Sequence, residues 1–472
     1  MNLRNATIIY ALGKYSKVIL QMLVTIILAR ILTPYDYGII AIITVFSTFF
    51  SAFSDMGFGV AIVQKRWLTK NQIDDIFSFT VYFSIVVSLL FGASSFLIAK
   101  FYNNSVFIPL GWLLTISLFF NSLNMVPNGL MNKQQLFVKI AIRTVIAYLV
   151  SAIVAIILAF YNYRYYAIVI QGIVSAFITF IWNFSNSKLS FKLKFDFESV
   201  KKVSSYSGYQ FAFNIVNYVA ENLDNLLTGK FFGSKQLGFY NKAYSLTLYP
   251  VDNLVGVITP VLHPVLAVYQ KNKKIIYNKY IKVFKILSII GIFLSLYCFF
   301  ASKELIILFY GDQWKQAIPC FHVLSIIMFT RILNSSCGAI FQVLNSTKLL
   351  FYNGLLNTVI TVVAILIGVF LGADIYRLSL CVAVSYFIQF ITAFYMLIKM
   401  GFGFSIIKFL QDIYIYLFIF LIMLIAINFY SFNVNSYLVS AVLKFIYVAV
   451  ILIILLLITG QKNIILAILR RK

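Results

Sequence analysis

Hydrophobic residues run in blocks of about twenty along almost the whole chain, separated by short polar breaks. About 20 consecutive apolar residues is the length a helix needs to cross the hydrocarbon core of a bilayer. About fourteen such blocks are predicted, near 8–29, 38–63, 76–99, 106–127, 138–160, 165–184, 206–229, 242–267, 281–301, 318–343, 349–371, 376–398, 409–430 and 438–459. Strands of a membrane barrel would alternate apolar and polar over about ten residues. These runs are longer and do not alternate, so the expected fold is all-α: a polytopic membrane protein of about 14 transmembrane helices. By residue range the expectation is an N-lobe of six helices (1–184), a cytoplasmic linker (185–203), a C-lobe of six helices (204–400) and two C-terminal helices (401–472).

Composition closes off the soluble alternatives. Of 472 residues, 62% are hydrophobic and 11% charged, against about 25% charged in an ordinary globular domain. No single core could hide that excess. The formal charge of +25, from 38 Lys and Arg against 13 Asp and Glu, would suit a nucleic-acid partner. The basic residues, however, sit in loops between spans, and no soluble basic module exists to carry such binding. Twenty-two of them fall on one side of the membrane, among them Lys65, Arg66, Lys70, Lys133, the group from Lys188 to Lys202 and that from Lys271 to Lys282; nine, from Arg30 to Arg377, fall on the other. Basic loops are retained inside, which puts both termini in the cytoplasm. Cys298, Cys320, Cys337 and Cys381 show no metal-binding spacing, His263 and His322 stand alone, and no cofactor is expected.

Several spans carry polar stripes. Tyr206–Lys230 holds Gln210, Asn214, Asn217, Glu221, Asp224 and Asn225, and positions 210, 214, 217, 221, 224 and 228 share one helical face. An ionisable group at membrane depth costs roughly 2.5–3.5 kcal/mol, so such a face should meet water or other helices. A wet, acidic face lines a path for something polar. Lys14, Lys17 and Gln21 make a second stripe, Asn121, Asn124 and Asn128 a third, and Arg331, Asn334, Ser335, Gln342 and Asn345 a fourth. For single amides, hydrogen-bonded helix packing is the plainer role. Lys14, Lys17 and Arg331 are candidate cavity cations for an anionic headgroup. The alternative for them is neutralisation by Asp55, Glu221, Asp224 or Asp252. Arg143 is a further basic residue near the cytoplasmic end of the fifth span. Glu221 and Asp224 either titrate, coupling transport to a proton or sodium gradient, or serve as fixed counter-charges.

A repeat joins the two halves. Leu28-Ala-Arg-Ile-Leu-Thr-Pro-Tyr-Asp-Tyr-Gly38 and Leu227-Thr-Gly-Lys-Phe-Phe-Gly-Ser-Lys-Gln-Leu-Gly238 each end a helix on a basic residue and place a glycine eight positions later. The offset of 200 residues spans six helices, so the halves run in the same direction, as in transporters that hold substrate between parallel repeats. The segment 188–196 of the linker is amphipathic, suited either to lie on an anionic leaflet or simply to join the halves.

The Leu28–Gly38 run, with Ser54-Asp-Met-Gly-Phe-Gly59, Ala61-Ile-Val-Gln64, Asn222-Leu-Asp-Asn-Leu-Leu-Thr-Gly229 and Leu237-Gly-Phe-Tyr-Asn-Lys-Ala-Tyr244, resembles Wzx-type oligosaccharide flippases. These form the polysaccharide-transporter branch of the multidrug/oligosaccharidyl-lipid/polysaccharide exporter superfamily, with colanic-acid and teichuronic-acid exporters as the nearest subgroup. The resemblance implies a two-lobed bundle in a bacterial cytoplasmic membrane. It would move polyprenyl-pyrophosphate-linked oligosaccharide to the outer leaflet by alternating access, for surface polysaccharide synthesis. The linker would accommodate lobe rocking. Lys14, Lys17 and Arg331 would attract the pyrophosphate by position, since no family motif covers them. The implied partners are the lipid-linked oligosaccharide, membrane lipid, and the polymerase and glycosyltransferases of the same pathway. A multidrug or small-molecule antiporter and a lipid II flippase share this architecture and stay as alternatives. A membrane glycosyltransferase or polymerase would need a long catalytic loop; no loop exceeds about 20 residues, and an enzyme is not expected.

Overall fold

The computed structural model describes residues 3–55, 58–65, 67–204, 208–430 and 434–461, and among these all regular structure is helical, with no strand. It divides into two compact units, Met1–Gly238 and Phe239–Lys472. Packing thus divides the chain after Gly238, whereas the loop pattern divides it at 185–203.

The first unit holds α1 (Leu3–Ile31), α2 (Pro34–Asp55), α3 (Phe58–Gln64), α4 (Lys70–Tyr102), α5 (Phe107–Leu123), α6 (Met125–Lys133), α7 (Phe137–Phe160), α8 (Tyr165–Ser187), α9 (Phe197–Ser204) and α10 (Gly208–Phe231). α11 (Gly233–Ala267) begins there and continues into the second unit, followed by α12 (Lys273–Phe300), α13 (Ser302–Tyr310), α14 (Ile318–Val343), α15 (Thr347–Phe370), α16 (Ile375–Tyr395), α17 (Ile406–Ala426) and α18 (Tyr437–Ile458). Eleven helical segments among the described residues are long and apolar enough to cross a membrane. The other three expected spans correspond to α1, α10 and α11, of 29, 24 and 35 residues. Even the shortest reaches about 36 Å at ~1.5 Å per residue. The fold class stands as expected, and a count of fourteen is compatible with it.

Local chemistry sets the helix ends. Thr69 and Gln72 form a reciprocal capping box at the start of α4, and Asn103 closes its far end in the left-handed conformation. Asn272, Asp374 and Ser405 cap α12, α16 and α17 through their side chains. The fourth stripe is shortened at one such end: Asn345 lies beyond α14, with φ +53°. A residue past the last turn cannot share the helix face.

In the first unit α4 packs on α5, α7 on α1 and α8, and α5 on α8; in the second, α14 is sandwiched by α12 and α16, with α17 and α18 against α12. The short helices α3, α6 and α9 close one end of the first unit over a core of Phe58, Ile62, Ile76, Val126 and Val200. The linker is fastened to α4 there. Ser190 N–H donates to Asp74 Oδ1 (3.0 Å), Lys192 N–H to Ser78 Oγ (2.9 Å) and Lys192 Nζ to Asp75 Oδ1 (2.8 Å). The freedom expected of this segment is therefore restricted over 190–192, while Leu193 and Phe197 remain exposed.

Candidate functional site

The helix starts of the repeated motif explain their own residues. Asp36 accepts from Thr33 N–H (2.9 Å) and Thr33 Oγ1 (2.6 Å), tying down the first turn of α2. Its other oxygen takes Arg164 Nε at 3.1 Å. Gly38 lies so close to the start of α11 that a Cβ would overlap the carbonyl oxygen of Ser234. A Cβ at Gly238 would overlap that of Pro34. Residues 38 and 234 therefore meet as 238 and 34 do, each pair related to the other by the 200-residue offset read from the sequence.

The acidic stripe on α10 is split. Glu221 is exposed, Asp224 is 5% exposed and accepts from Asn225 N–H at 2.7 Å, and Thr228 is fully buried. The helix sits against α2, with Gly229 on Ile42 and Tyr218 donating its hydroxyl to Val45 O at 2.7 Å. Only part of the stripe can meet water in this conformation. Lys17 is half-buried on α1. The side chains of Lys14, Asp55, Asn214 and Asn217 lie outside the described residues.

Arg331 occupies the middle of α14. Its Nη1 donates to the hydroxyls of Tyr244 (2.9 Å) and Tyr386 (3.1 Å), which bond each other at 2.7 Å. The guanidinium lies 4.7 Å from the Tyr386 ring centroid. Among the described residues Arg331 makes no direct carboxylate ion pair; neutral hydroxyls and an aromatic face contact it, and the Asp252 carboxylate acts on its charge at longer range. Asp252 and Gln342 are exposed, and Asn334 is half-buried one turn from Arg331.

The third stripe reaches further than single-helix spacing could show. Arg143 on α7 donates to Asn128 Oδ1 (3.0 Å) and to Asn183 Oδ1 on α8 (2.7 Å), and Asn183 Nδ2 donates to Asn124 Oδ1 (2.7 Å). Asn121, Asn124, Asn128 and Asn132 line a cavity of about 900 Å³ with Thr48, Ser51 and Gln64. A second cavity, of about 500 Å³, includes Lys70, Lys133 and Lys188. Asn183 was not a candidate, because one amide inside an apolar run gives no spacing signal.

Known proteins give this arrangement a context. A family model described as polysaccharide biosynthesis protein matches residues 27–319. The teichuronic acid biosynthesis protein TuaB of Bacillus subtilis is 25% identical over 300 residues, covering 63% of this chain and 62% of TuaB, so the match spans less than two thirds of that relative. The lipopolysaccharide biosynthesis protein WzxC of Escherichia coli is 24% identical over 396 residues, covering 82% of this chain and 79% of WzxC. Among solved structures, lipid II flippase MurJ in an inward closed conformation superposes with a TM-score of 0.76 at 14% identity, over 97% of this chain and 100% of MurJ. That likeness establishes the helical architecture. With the family match running through the repeated motif and over more than half its length, the chain belongs to the polysaccharide biosynthesis protein family.

Proposed function

We propose that the protein is a flippase that carries polyprenyl-pyrophosphate-linked oligosaccharide across a bacterial cytoplasmic membrane for surface polysaccharide synthesis. The observation that supports it most directly is Arg331, a cation mid-way along a spanning helix, presented by two tyrosine hydroxyls. A charge at such depth is costly and marks a path for a charged or polar cargo. Arg331 and Lys17 supply attraction for pyrophosphate oxygens, with Lys14 as a further cation. Asp55, Asn214, Asn217, Glu221, Asp224, Asn225, Asp252, Asn334 and Gln342 complete a polar route for the sugars. Polar groups along the path lower the cost of drawing phosphates and hydroxyls through hydrocarbon.

The excess of basic loops on one side supports cytoplasmic termini. Transport proceeds by alternating access, without enzymatic turnover and without a bound cofactor, driven by a proton or sodium gradient. The pathway's polymerase and glycosyltransferases are the natural partners, since one consumes the cargo and the other supplies it. Reconstituted vesicles loaded with a fluorescent polyprenyl-pyrophosphate oligosaccharide test this. Accessibility of the glycan should appear on the opposite leaflet only with protein present, faster under an imposed ion gradient and slower for Arg331→Ala. No protein-dependent leaflet exchange of any glycan-lipid would overturn it.

A further inference from the structure

The amide-walled cavity of the first unit is not needed to bind phosphate, and its chemistry points elsewhere. Four asparagines, a glutamine, a serine and a threonine stand among Ala52, Val63, Met125 and two glycines around a space of about 900 Å³, a mixture of hydrogen-bonding groups and small apolar surface. The wall is also oriented. Arg143 takes Asn128 Oδ1, and Asn183, itself held by Arg143, takes Asn124 Oδ1. With those oxygens occupied, the amide N–H groups of Asn124 and Asn128 are the side-chain donors that remain to face the cavity, and among the described residues no acceptor is seen for them. The guanidinium polarises both amides and strengthens them as donors. Because Arg143 bonds its neighbours' oxygens, it stands behind the wall as an orienting group. A phosphate would call for direct contact with the cation.

We propose that this cavity binds the sugar end of the cargo, through the hydroxyl, ring and acetamido oxygens of a saccharide. The inference rests on the flippase reading and adds to it a site for the glycan, separate from the cations that serve the pyrophosphate. The cavity is framed by the ends of α2 and α5 and by α3 and α6, beside Lys65 and Lys133, the end that the basic loops assign to the cytoplasm. A site there would select the glycan at loading.

The experiment measures binding to the full-length protein in nanodiscs. The probes are a polyprenyl pyrophosphate without sugar and the same lipid carrying one hexose, N-acetylhexosamine or hexuronic acid. The wild type should bind at least one glycosylated lipid about tenfold more tightly than the bare lipid, the worth of two or so net hydrogen bonds. Asn124→Leu with Asn128→Leu should erase that preference while leaving bare-lipid affinity within about twofold. Because those residues belong to the Arg143 network, Gln64→Leu with Asn121→Leu provides a second pair outside it, expected to reduce the preference in the same sense. Equal wild-type binding of all four lipids, or a preference untouched in both variants, overturns the inference. If leaflet exchange of the glycosylated lipid persists in that case, the flippase reading survives. If no lipid binds or crosses, both fall together.

Discussion

Glu304 in α13 and Lys444 in α18 form an ion pair that the hydrophobic pattern does not announce. The ammonium lies 2.6 Å from Oε1, with side chains only 15% and 9% exposed for Lys444 and Glu304. Lys444 also donates to Phe300 O at 3.1 Å, and Ser440 Oγ donates to the same Oε1 at 2.9 Å. Water has little access to replace a lost partner. Lys444→Met should therefore cost about 3–5 kcal/mol, since it leaves an enclosed carboxylate without its cation. Removing both charges, with Glu304→Leu and Lys444→Met together, should be neutral or stabilising by about 1–4 kcal/mol. A double-mutant cycle measured by reversible detergent unfolding reads the difference directly. A single-variant cost below about 1 kcal/mol, typical of exposed pairs, with no coupling, would refute this account.

The same pair predicts a pH dependence. Burial opposes the charged form of Glu304, but the hydrogen bond from Lys444, a backbone N–H, Ser440 and the lysine's charge outweigh it and hold the carboxyl below its usual range. A depressed carboxyl pKa stabilises the fold at every pH above the unfolded value of about 4.3, and the contribution is lost as pH falls through the depressed value. Wild-type stability should hold from neutral pH to about 5 and then decline, with this component absent from the double variant.

Arg331→Lys should restore little of the transport lost in Arg331→Ala, because an ammonium lacks the flat guanidinium face set 4.7 Å from the Tyr386 ring centroid; Tyr386→Phe should show a smaller loss in the vesicle assay. Gly38→Ala and Gly238→Ala should each destabilise by about 1–3 kcal/mol through overlap with a backbone carbonyl, and by similar amounts, measured as unfolding midpoints of the purified proteins. Asp75→Ala should loosen the linker, seen as faster amide exchange at Lys192 and Leu193, without altering exchange in α12.

The helices were legible because bilayer thickness imposes a run length that composition alone reveals. α14 coincides with the expected span 318–343. Where the helix outruns the hydrocarbon the sequence is silent: α11 starts nine residues before the expected 242, and α12 starts at Lys273 before 281, because backbone hydrogen bonding continues through charged residues such as Lys274 and Lys279. The repeat around Gly38 and Gly238 was legible as spacing, although its meaning as a close backbone approach needed three dimensions. The site was only half visible. Arg331 and the asparagines 121, 124 and 128 stood out by helical periodicity. Their partners Tyr244, Tyr386, Arg143 and Asn183 come from other helices, and one chain's periodicity carries no information about which helix lies next to which.

The crossing at Gly38 and Gly238 has a consequence for how the molecule can move. Its two contacts exchange roles under the 200-residue offset, as paired contacts do across the axis of a twofold dimer. Such a crossing works as a latch with two matching teeth. Carbonyls seated where no side chain fits leave little room for gradual sliding, so a shift that strains one tooth strains its counterpart.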